Sequence, residues 1–85
     1  MKEAKTVVTP KSDPIQDVTY NEILDELTIH LRPGSYMNSR RSEKRLVYGR
    51  VPITVFHAFL KAESKGGFFN REIKPVYPFL GEVED

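Results

Sequence analysis

The sequence contains no cysteine among its 85 residues, which excludes disulfide bonds and thiolate metal ligands. It also has no run of about 18 apolar residues of the kind that spans a bilayer. The N-terminal stretch MKEAKTVVTP lacks the apolar centre of a secretory signal. A chain this short buries only about 60% of the surface that its unfolded form exposes, so its stability margin is narrow. We therefore expect one small cytoplasmic domain with no membrane contact.

Positive charge is concentrated in the middle of the chain. The formal net charge is only +1, but residues 32–74 carry ten Lys or Arg against three Glu. Residues 1–31 and 75–85 each have a net charge of −3. A localised positive field attracts polyanions and speeds their association, so this pattern indicates an anionic partner. The alternative is the ordinary unevenness of charge on a solvated surface.

Two strands are predicted in the first half of the chain. Ile15–Tyr20 is rich in β-branched residues, which suit a short strand. The segment Tyr20–Leu31 is ambiguous, because its first part has the apolar spacing of an amphipathic helix. Its second part alternates apolar and polar residues, which is typical of a half-buried strand. We favour a strand over Leu27–Arg32, preceded by a turn through Asn21–Asp25 and ended by the turn residues of Arg32–Ser35.

The second half begins with a polar connection and continues into a strand and a helix. Ser35–Arg45 lacks periodicity and is predicted to be a long, mobile, solvated hairpin connection. Leu46–Tyr48 resumes a strand. Pro52 suits the first turn of a helix, because its missing N–H has no intrahelical acceptor there. An apolar stripe follows at three- and four-residue spacing, as expected for a helix that covers the sheet; its members are Val55, Phe56, Phe59 and Leu60.

Glycines and prolines divide the remainder of the chain. Gly66 and Gly67 are predicted to end the helix, since glycine readily adopts the left-handed conformation found after helix C-termini. Phe68–Ile73 is predicted to form a second helical turn that returns Phe69 and Ile73 to the core. The prolines at positions 75 and 78 stop further helix, so Val76–Leu80 is expected to lie along the surface.

These elements predict an α+β fold with a small antiparallel three-stranded sheet. The order is β-β-β-α with a short second helix, and the main helix packs on one sheet face. Residues 1–14 are expected to be a flexible N-terminal arm, because they cannot bury enough apolar surface to offset their ordering entropy. Residues 15–77 would form the domain, and residues 78–85 would form an acidic C-terminal tail.

Two motifs in this predicted domain carry a family resemblance. Y-x-x-V-P covers Tyr48, Val51 and Pro52, and A-x-S-x-G-x-F-F-N covers Ala62–Asn70, including Ser64, Gly66 and Phe69. With these motifs the chain resembles the KTSC domain, which is found at the C-terminus of some lysyl-tRNA synthetases and as a stand-alone protein in bacteria and phages. The resemblance covers residues 15–77; its other matching positions are Val18, Tyr20, Leu27, Ile29, Leu31, Gly34, Val55, Phe59, Leu60, Ile73 and Tyr77.

The chain departs from the family pattern at two places. Leu46 stands where the family has the first tyrosine of a Tyr-x-Tyr pair, so that only Tyr48 is retained. The connection before this strand, Ser35–Arg45, is longer than the tight turn of the family. The synthetase fusion implies RNA binding as an analogy, and it supplies no mechanism.

The candidate nucleic-acid site is the basic connection and the strand that follows it. Its cations could neutralise phosphates, and its tyrosines could stack on bases; the candidates are Arg40, Arg41, Lys44, Arg45, Arg50, Tyr36 and Tyr48. His30, on the polar face of its strand, is a further candidate for stacking. Two alternatives stay open: the connection is a solvated loop that keeps the hairpin soluble, and Tyr48 packs in the core.

No catalytic or metal site can be assembled from the sequence. His30 and His57 have no partners at metal-ligand spacing, and Gly66-Gly67 is too short for a phosphate cradle. Ser64 has no nucleophile context and is expected to bond a carbonyl at the helix C-terminus. Ser64 and Asn70 are expected to brace the turn between the helices, with a ligand contact as the alternative for Asn70. We therefore expect no enzyme and no cofactor.

Two function classes follow. The first is a non-catalytic module that binds RNA or another polyanion through the basic connection. The second is a protein-interaction or self-association module with no nucleic-acid role, which uses the exposed sheet or the aromatic segment Val76–Leu80. A small core with an unpaired strand edge invites such pairing.

Overall fold

The protein is an α+β domain built on one antiparallel sheet. The computed structural model describes residues 4–8, 14–34, 38 and 44–84, and the structural statements below refer to these residues. Five strands follow one another in the sheet in chain order, each antiparallel to its neighbour. They are β1 (Ala4–Val8), β2 (Ile15–Asn21), β3 (Glu26–Leu31), β4 (Lys44–Tyr48) and β5 (Phe79–Glu84). The predicted α+β class is confirmed, but the predicted three-stranded sheet is wrong.

The two unpredicted strands come from segments that were assigned to an arm and a tail. β1 lies within the predicted flexible arm and pairs with β2, while β5 lies within the predicted acidic tail and pairs with β4. Both are edge strands. An edge strand forms through main-chain hydrogen bonds with its neighbour, and it needs little apolar patterning of its own. The side-chain pattern of these segments therefore did not reveal them.

The core lies between one face of the sheet and the helices. On β3 the apolar residues Leu27, Ile29 and Leu31 are buried in alternation, as predicted, although His30 between them is also buried. On β2 the buried residues are Ile15, Val18 and Tyr20. The register places Tyr20 opposite Leu27, and Leu27 opposite Tyr48. The fully or nearly fully buried apolar side chains are Ile15, Val18, Tyr20, Leu27, Ile29, Leu31, Tyr48, Val51, Phe56, Phe59, Phe69 and Ile73. We call the opposite face of the sheet the outer face.

Three helical segments cover this core. α1 spans Ile53–Lys61 and α2 spans Lys65–Phe68, and α2 continues into a π-helical turn over Phe69–Ile73. The Phe56 ring of α1 stacks on Tyr20 with 4.9 Å between ring centroids. The π-helical turn buries Phe69 and Ile73, which confirms their predicted return to the core. None of the helices in these described ranges is long and apolar enough to cross a bilayer.

The predicted glycine stop of α1 is wrong. α1 ends at Lys61 and the chain then becomes extended at Ala62, whereas Gly66 and Gly67 lie inside α2. The Lys65 ammonium donates hydrogen bonds to the carbonyl oxygens of Leu60 and Ala62 at the end of α1. The Lys65 ammonium thus supplies donors to carbonyl oxygens that lack an intrahelical partner, as the backbone amides of a glycine cap would otherwise do.

Ser64 begins α2 and does not end α1. Its hydroxyl oxygen accepts a hydrogen bond from the Gly67 amide at 3.1 Å, which is the geometry of an N-terminal cap. Its predicted bond to a carbonyl at a helix C-terminus is therefore wrong, although its predicted place between the helices is correct. A side chain at Gly67 would crowd this hydroxyl, with its Cβ 3.1 Å from the Ser64 oxygen.

The β2–β3 turn and the β4–α1 connection meet at one end of the sheet. The Asn21 side chain accepts hydrogen bonds from the amides of Ile23 and Leu24, which shapes the turn. Asp25 and Arg50 both have left-handed backbone conformations, with φ of 54° and 57°. The Val51 amide then donates to the Asp25 carbonyl at 2.9 Å and ties the two segments together.

Candidate functional site

The candidate binding cations that the structure describes are Lys44, Arg45 and Arg50, and they lie at two different ends of the sheet. Arg32 follows β3 and Lys44 begins β4, and the register pairs Lys44 with Leu31, the last residue of β3. The connection between them therefore leaves and re-enters the sheet at one end, which we call the basic end. Residues 32–45 contain five cations against Glu43 alone, a net charge of +4. These cations are Arg32, Arg40, Arg41, Lys44 and Arg45.

Two of these cations start β4 and face opposite sides of the sheet. The Lys44 ammonium lies 3.4 Å from a Glu82 carboxylate oxygen of β5, and both side chains are half-buried. Arg45 is on the outer face, in register with His30 on one side and Val83 on the other. Lys44 is thus partly neutralised, and Arg45 lies on the outer face of the sheet.

In the interior of the predicted connection Ser35–Arg45, the structure describes one residue, Asn38. Tyr36, Arg40 and Arg41 lie outside the described residues. Asn38 is described, and its side chain is 3% exposed. The expected full solvation of the connection does not hold at Asn38.

Arg50 does not belong to the basic end. It is exposed and lies beyond the opposite end of β4, six residues after Lys44. A strand rises about 3.3 Å per residue, which separates the two residues by roughly 15–20 Å. The sequence-based grouping of Arg50 with the cations of the connection is therefore wrong, because the length of β4 intervenes.

Tyr48 is a packing residue and not a stacking platform. Its side chain is only 4% exposed. Its ring makes an edge contact with Phe69 at a centroid distance of 5.5 Å and a tilted contact with Phe79 at 5.4 Å. Burial raises the pKa of its phenol. The predicted contact of Tyr48 with a nucleic-acid base is wrong, because the register of β4 against β3 turns this ring towards the core.

His30 is likewise unavailable for stacking. It is on the outer face but only 6% exposed, and its Nδ1 lies 3.0 Å from a carboxylate oxygen of Asp17 on the neighbouring strand. A buried ring held edge-on by a carboxylate cannot receive a base on its face. Within the described ranges, no three His, Asp or Glu side chains come together as a potential metal site.

The residues of the two family motifs are mostly architectural. Val51, Gly66 and Phe69 are buried, and Ser64 caps α2. Pro52 is exposed and stands just before α1, where its carbonyl accepts the first helical hydrogen bonds. Asn70 is exposed on the π-helical turn, so a ligand contact at Asn70 stays a prediction.

A second surface surrounds Arg50 and includes part of the predicted contact segment Val76–Leu80. Ile23 and Leu24 of the β2–β3 turn and Phe79 and Leu80 of β5 are all more than half exposed. All four lie at the end of the sheet opposite the basic end. The sequence analysis had named Phe79 and Leu80 as part of a contact segment but missed Ile23 and Leu24, whose signal was two adjacent aliphatic residues inside a segment with turn character.

The fold defines a class of protein: a small α+β domain with helices on one face of an antiparallel sheet. Comparison with known families goes further. The sequence model of the KTSC domain matches residues 11–77, so the chain belongs to the KTSC domain family. No curated protein matches the chain in sequence.

The fold is also similar to that of a crystal structure. This is a KTSC domain protein from Yersinia pestis, with a TM-score of 0.69 and 22% sequence identity. The similarity covers 96% of this chain and 97% of the other. At this identity the likeness concerns the fold, and the use that each protein makes of it is a separate question.

Proposed function

We propose that the protein is a non-catalytic module that binds RNA or another polyanion at its basic end. The observation that carries the proposal is the net charge of +4 on residues 32–45, of which the described cations Arg32, Lys44 and Arg45 lie where β3 ends and β4 begins. A concentrated cationic loop between two strands attracts phosphates and releases their counterions on binding.

The structure limits the mode of binding. Tyr48 and His30 are buried, so neither supplies an aromatic platform for bases. Binding would therefore rest mainly on phosphate contacts from the basic connection, together with Arg32 and Arg45. Tyr36 lies outside the described residues and stays a predicted stacking residue. Phosphate contacts carry affinity with little sequence preference. We expect a strongly salt-dependent interaction that tolerates changes of base sequence.

Salt-dependent binding to a labelled single-stranded RNA tests the proposal. The variant Arg40→Ala/Arg41→Ala removes two cations from the connection. The matched control Lys61→Ala/Lys74→Ala removes two exposed cations from the helical side and changes the net charge equally. Each phosphate contact contributes about 0.7 to the slope of log affinity against log salt for single strands. The first variant should lower this slope by about 1.4, and the control should not.

The results that contradict the proposal are equally definite. An absence of RNA or heparin binding at low salt would exclude a polyanion site. Equal losses in the two double variants would show a general charge effect with no site at the basic end. Heparin competition distinguishes a preference for RNA from binding to any polyanion.

A second candidate function is favoured by a different observation. The exposed apolar residues around Arg50 lie far from the basic end, and they support the protein-interaction or self-association module that was the alternative from sequence.

A further inference from the structure

The exposed apolar residues around Arg50 lie at the same end of the sheet, on the two sides of the 49–51 segment. Leu24 precedes Asp25, whose carbonyl accepts a hydrogen bond from Val51 next to Arg50. On the other side of Arg50, a Cβ at Gly49 would lie only 2.9 Å from a methyl carbon of Leu80. We call this surface the apolar end; it consists of Ile23, Leu24, Asp25, Arg50, Phe79 and Leu80.

The apolar area is large for so small a protein. The exposed fractions are 57% for Ile23, 58% for Leu24 and 54% each for Phe79 and Leu80. Each side chain exposes on the order of 100 Å², and together they approach the area of the largest apolar patch on a typical monomer, about 300–600 Å². A standard interface buries about 800 Å² per partner. The apolar end would provide the centre of such an interface, with polar residues at its rim.

The apolar end carries one acidic and one basic side chain, which suit pairing with the same two side chains of a second copy. Asp25 and Arg50 are both exposed, carry opposite charges, and are joined through the Val51–Asp25 hydrogen bond. The Asp25 carboxylate accepts a hydrogen bond from Tyr20 at 3.2 Å, and a carboxylate has capacity for further donors. A two-fold axis between the two residues brings each Arg50 against the partner's Asp25. Such a self-complementary patch suits an isologous dimer.

The open edge of β5 is a poorer surface for pairing. The β4–β5 register is irregular between Val47 and Tyr48, and Gly81 has a φ of 153°. Bulges twist an edge strand away from an incoming strand. Two β5 strands that paired would also bring their Glu82 side chains, which carry like charges, onto the same ribbon. End-to-end contact avoids both obstacles.

From these observations we propose that a second copy of this chain covers the apolar end and forms a two-fold dimer. This inference goes beyond polyanion binding and stands without it. The dimer leaves the two basic ends on opposite sides and pointing outwards, because each basic end is at the far end of its own strands. If the basic ends bind a polyanion, the dimer binds one strand at two places and gains avidity.

Sedimentation of the full chain over a range of concentrations tests the dimer. We expect the wild type to dimerise. Leu24→Glu and Leu80→Glu should each raise the dissociation constant about 30-fold or more, as the loss of a central interface side chain does. Val83→Glu is the matched control, because Val83 is a similarly exposed apolar residue of β5, at 48%, outside the apolar end. It should leave the dimer intact.

A second measurement locates the interface even if a charged variant fails to fold. The chain has no cysteine, so Leu24→Cys and Val83→Cys each introduce the only thiol. In mild oxidant Leu24→Cys should form covalent dimers at least ten times faster than Val83→Cys, because disulfides form only between closely placed residues.

Three results would overturn the inference. The first is a wild-type chain that stays monomeric up to about 1 mM, the weak end of specific association. The second is a dimer that Val83→Glu disrupts and Leu24→Glu does not, which would indicate β5 edge pairing. The third is equal cross-linking of the two cysteine variants.

Discussion

The phenol oxygen of Tyr20 lies 2.7 Å from the carbonyl oxygen of Val51, to which it donates a hydrogen bond across 31 residues of sequence. Tyr20 is fully buried at the end of β2, and Val51 leads into α1. The same hydroxyl contacts Asp25 in the β2–β3 turn. One side chain thus fixes the turn and the helix entrance that flank Arg50, and it supports the shape of the apolar end.

Removing this hydroxyl should destabilise the protein. Tyr20→Phe keeps the ring that stacks on Phe56 but leaves the Val51 carbonyl without its phenol donor. The loss of a buried hydrogen bond of this kind costs about 1–3 kcal/mol. Urea unfolding at neutral pH measures the change in the free energy of unfolding.

Tyr77→Phe is the control for this experiment. Tyr77 is half-buried and packs against the core. Its substitution should change the free energy of unfolding by less than about 0.5 kcal/mol, as is usual away from specific contacts. If both variants lose equal stability, the Tyr20–Val51 hydrogen bond makes no particular contribution to the free energy of unfolding.

The stability of the protein should fall at alkaline pH, in part because the buried phenol of Tyr20 loses its proton. Burial, followed by the hydrogen bond and charge of Asp25, raises the pKa of Tyr20 from 10.0 to about 12. The unfolded chain therefore releases this proton at lower pH than the folded chain. The contribution of Tyr20 to stability is complete below pH 10 and is lost as the pH rises from 10 through about 12.

Urea unfolding across this alkaline range tests the assignment. Tyr20→Phe should show a shallower decline of stability than the wild type, with a residual decline from Tyr48, whose pKa burial also raises. A Tyr20→Phe protein whose stability falls as steeply as that of the wild type would refute the role of this phenol.

The left-handed backbone of Arg50 makes a third prediction. Arg50 has a φ of 57°, a conformation that costs a residue with a Cβ about 1–2 kcal/mol and costs glycine little. Arg50→Gly and Arg50→Ala both remove the guanidinium, but only the glycine relieves this strain. The glycine variant should be more stable by about 1 kcal/mol, reduced by the greater entropy of its unfolded chain.

The comparison of these two variants also separates stability from association. Thermal unfolding ranks their stability, and sedimentation at low protein concentration ranks their dimers. Both variants should dimerise more weakly than the wild type, since both lose the charge that faces the partner's Asp25. Equal stability of the two variants would mean that the conformation at Arg50 carries no strain in solution.

Alternation and helical spacing predicted the centre of the fold because these patterns record burial on one face. The run from Leu27 to Leu31 and the stripe of α1 both lie where they were predicted. The edge strands β1 and β5 escaped prediction because a neighbouring strand supplies the hydrogen bonds that hold them. The predicted glycine stop was wrong because Lys65, four residues beyond the end of α1, donates hydrogen bonds to the carbonyl oxygens at that end.

The candidate site was predictable in its charge and not in its geometry. The basic connection was recognised from composition, since a cluster of cations needs no structure to be seen. Whether Tyr48 faces a base or the core depends on the register of β4 against β3. That register is a long-range property, and a shift of one residue would turn the ring to the outer face.

The sequence by itself determined the fold class, the buried stripe of α1 and the family, because each of these follows from local spacing and residue type. The tertiary structure alone decided which charged and apolar residues share a surface. The length of β4 separates Arg50 from Lys44, and the pairing of β5 brings Leu80 to Gly49. Distances across a sheet arise from strand pairing, and no local pattern in the chain contains them.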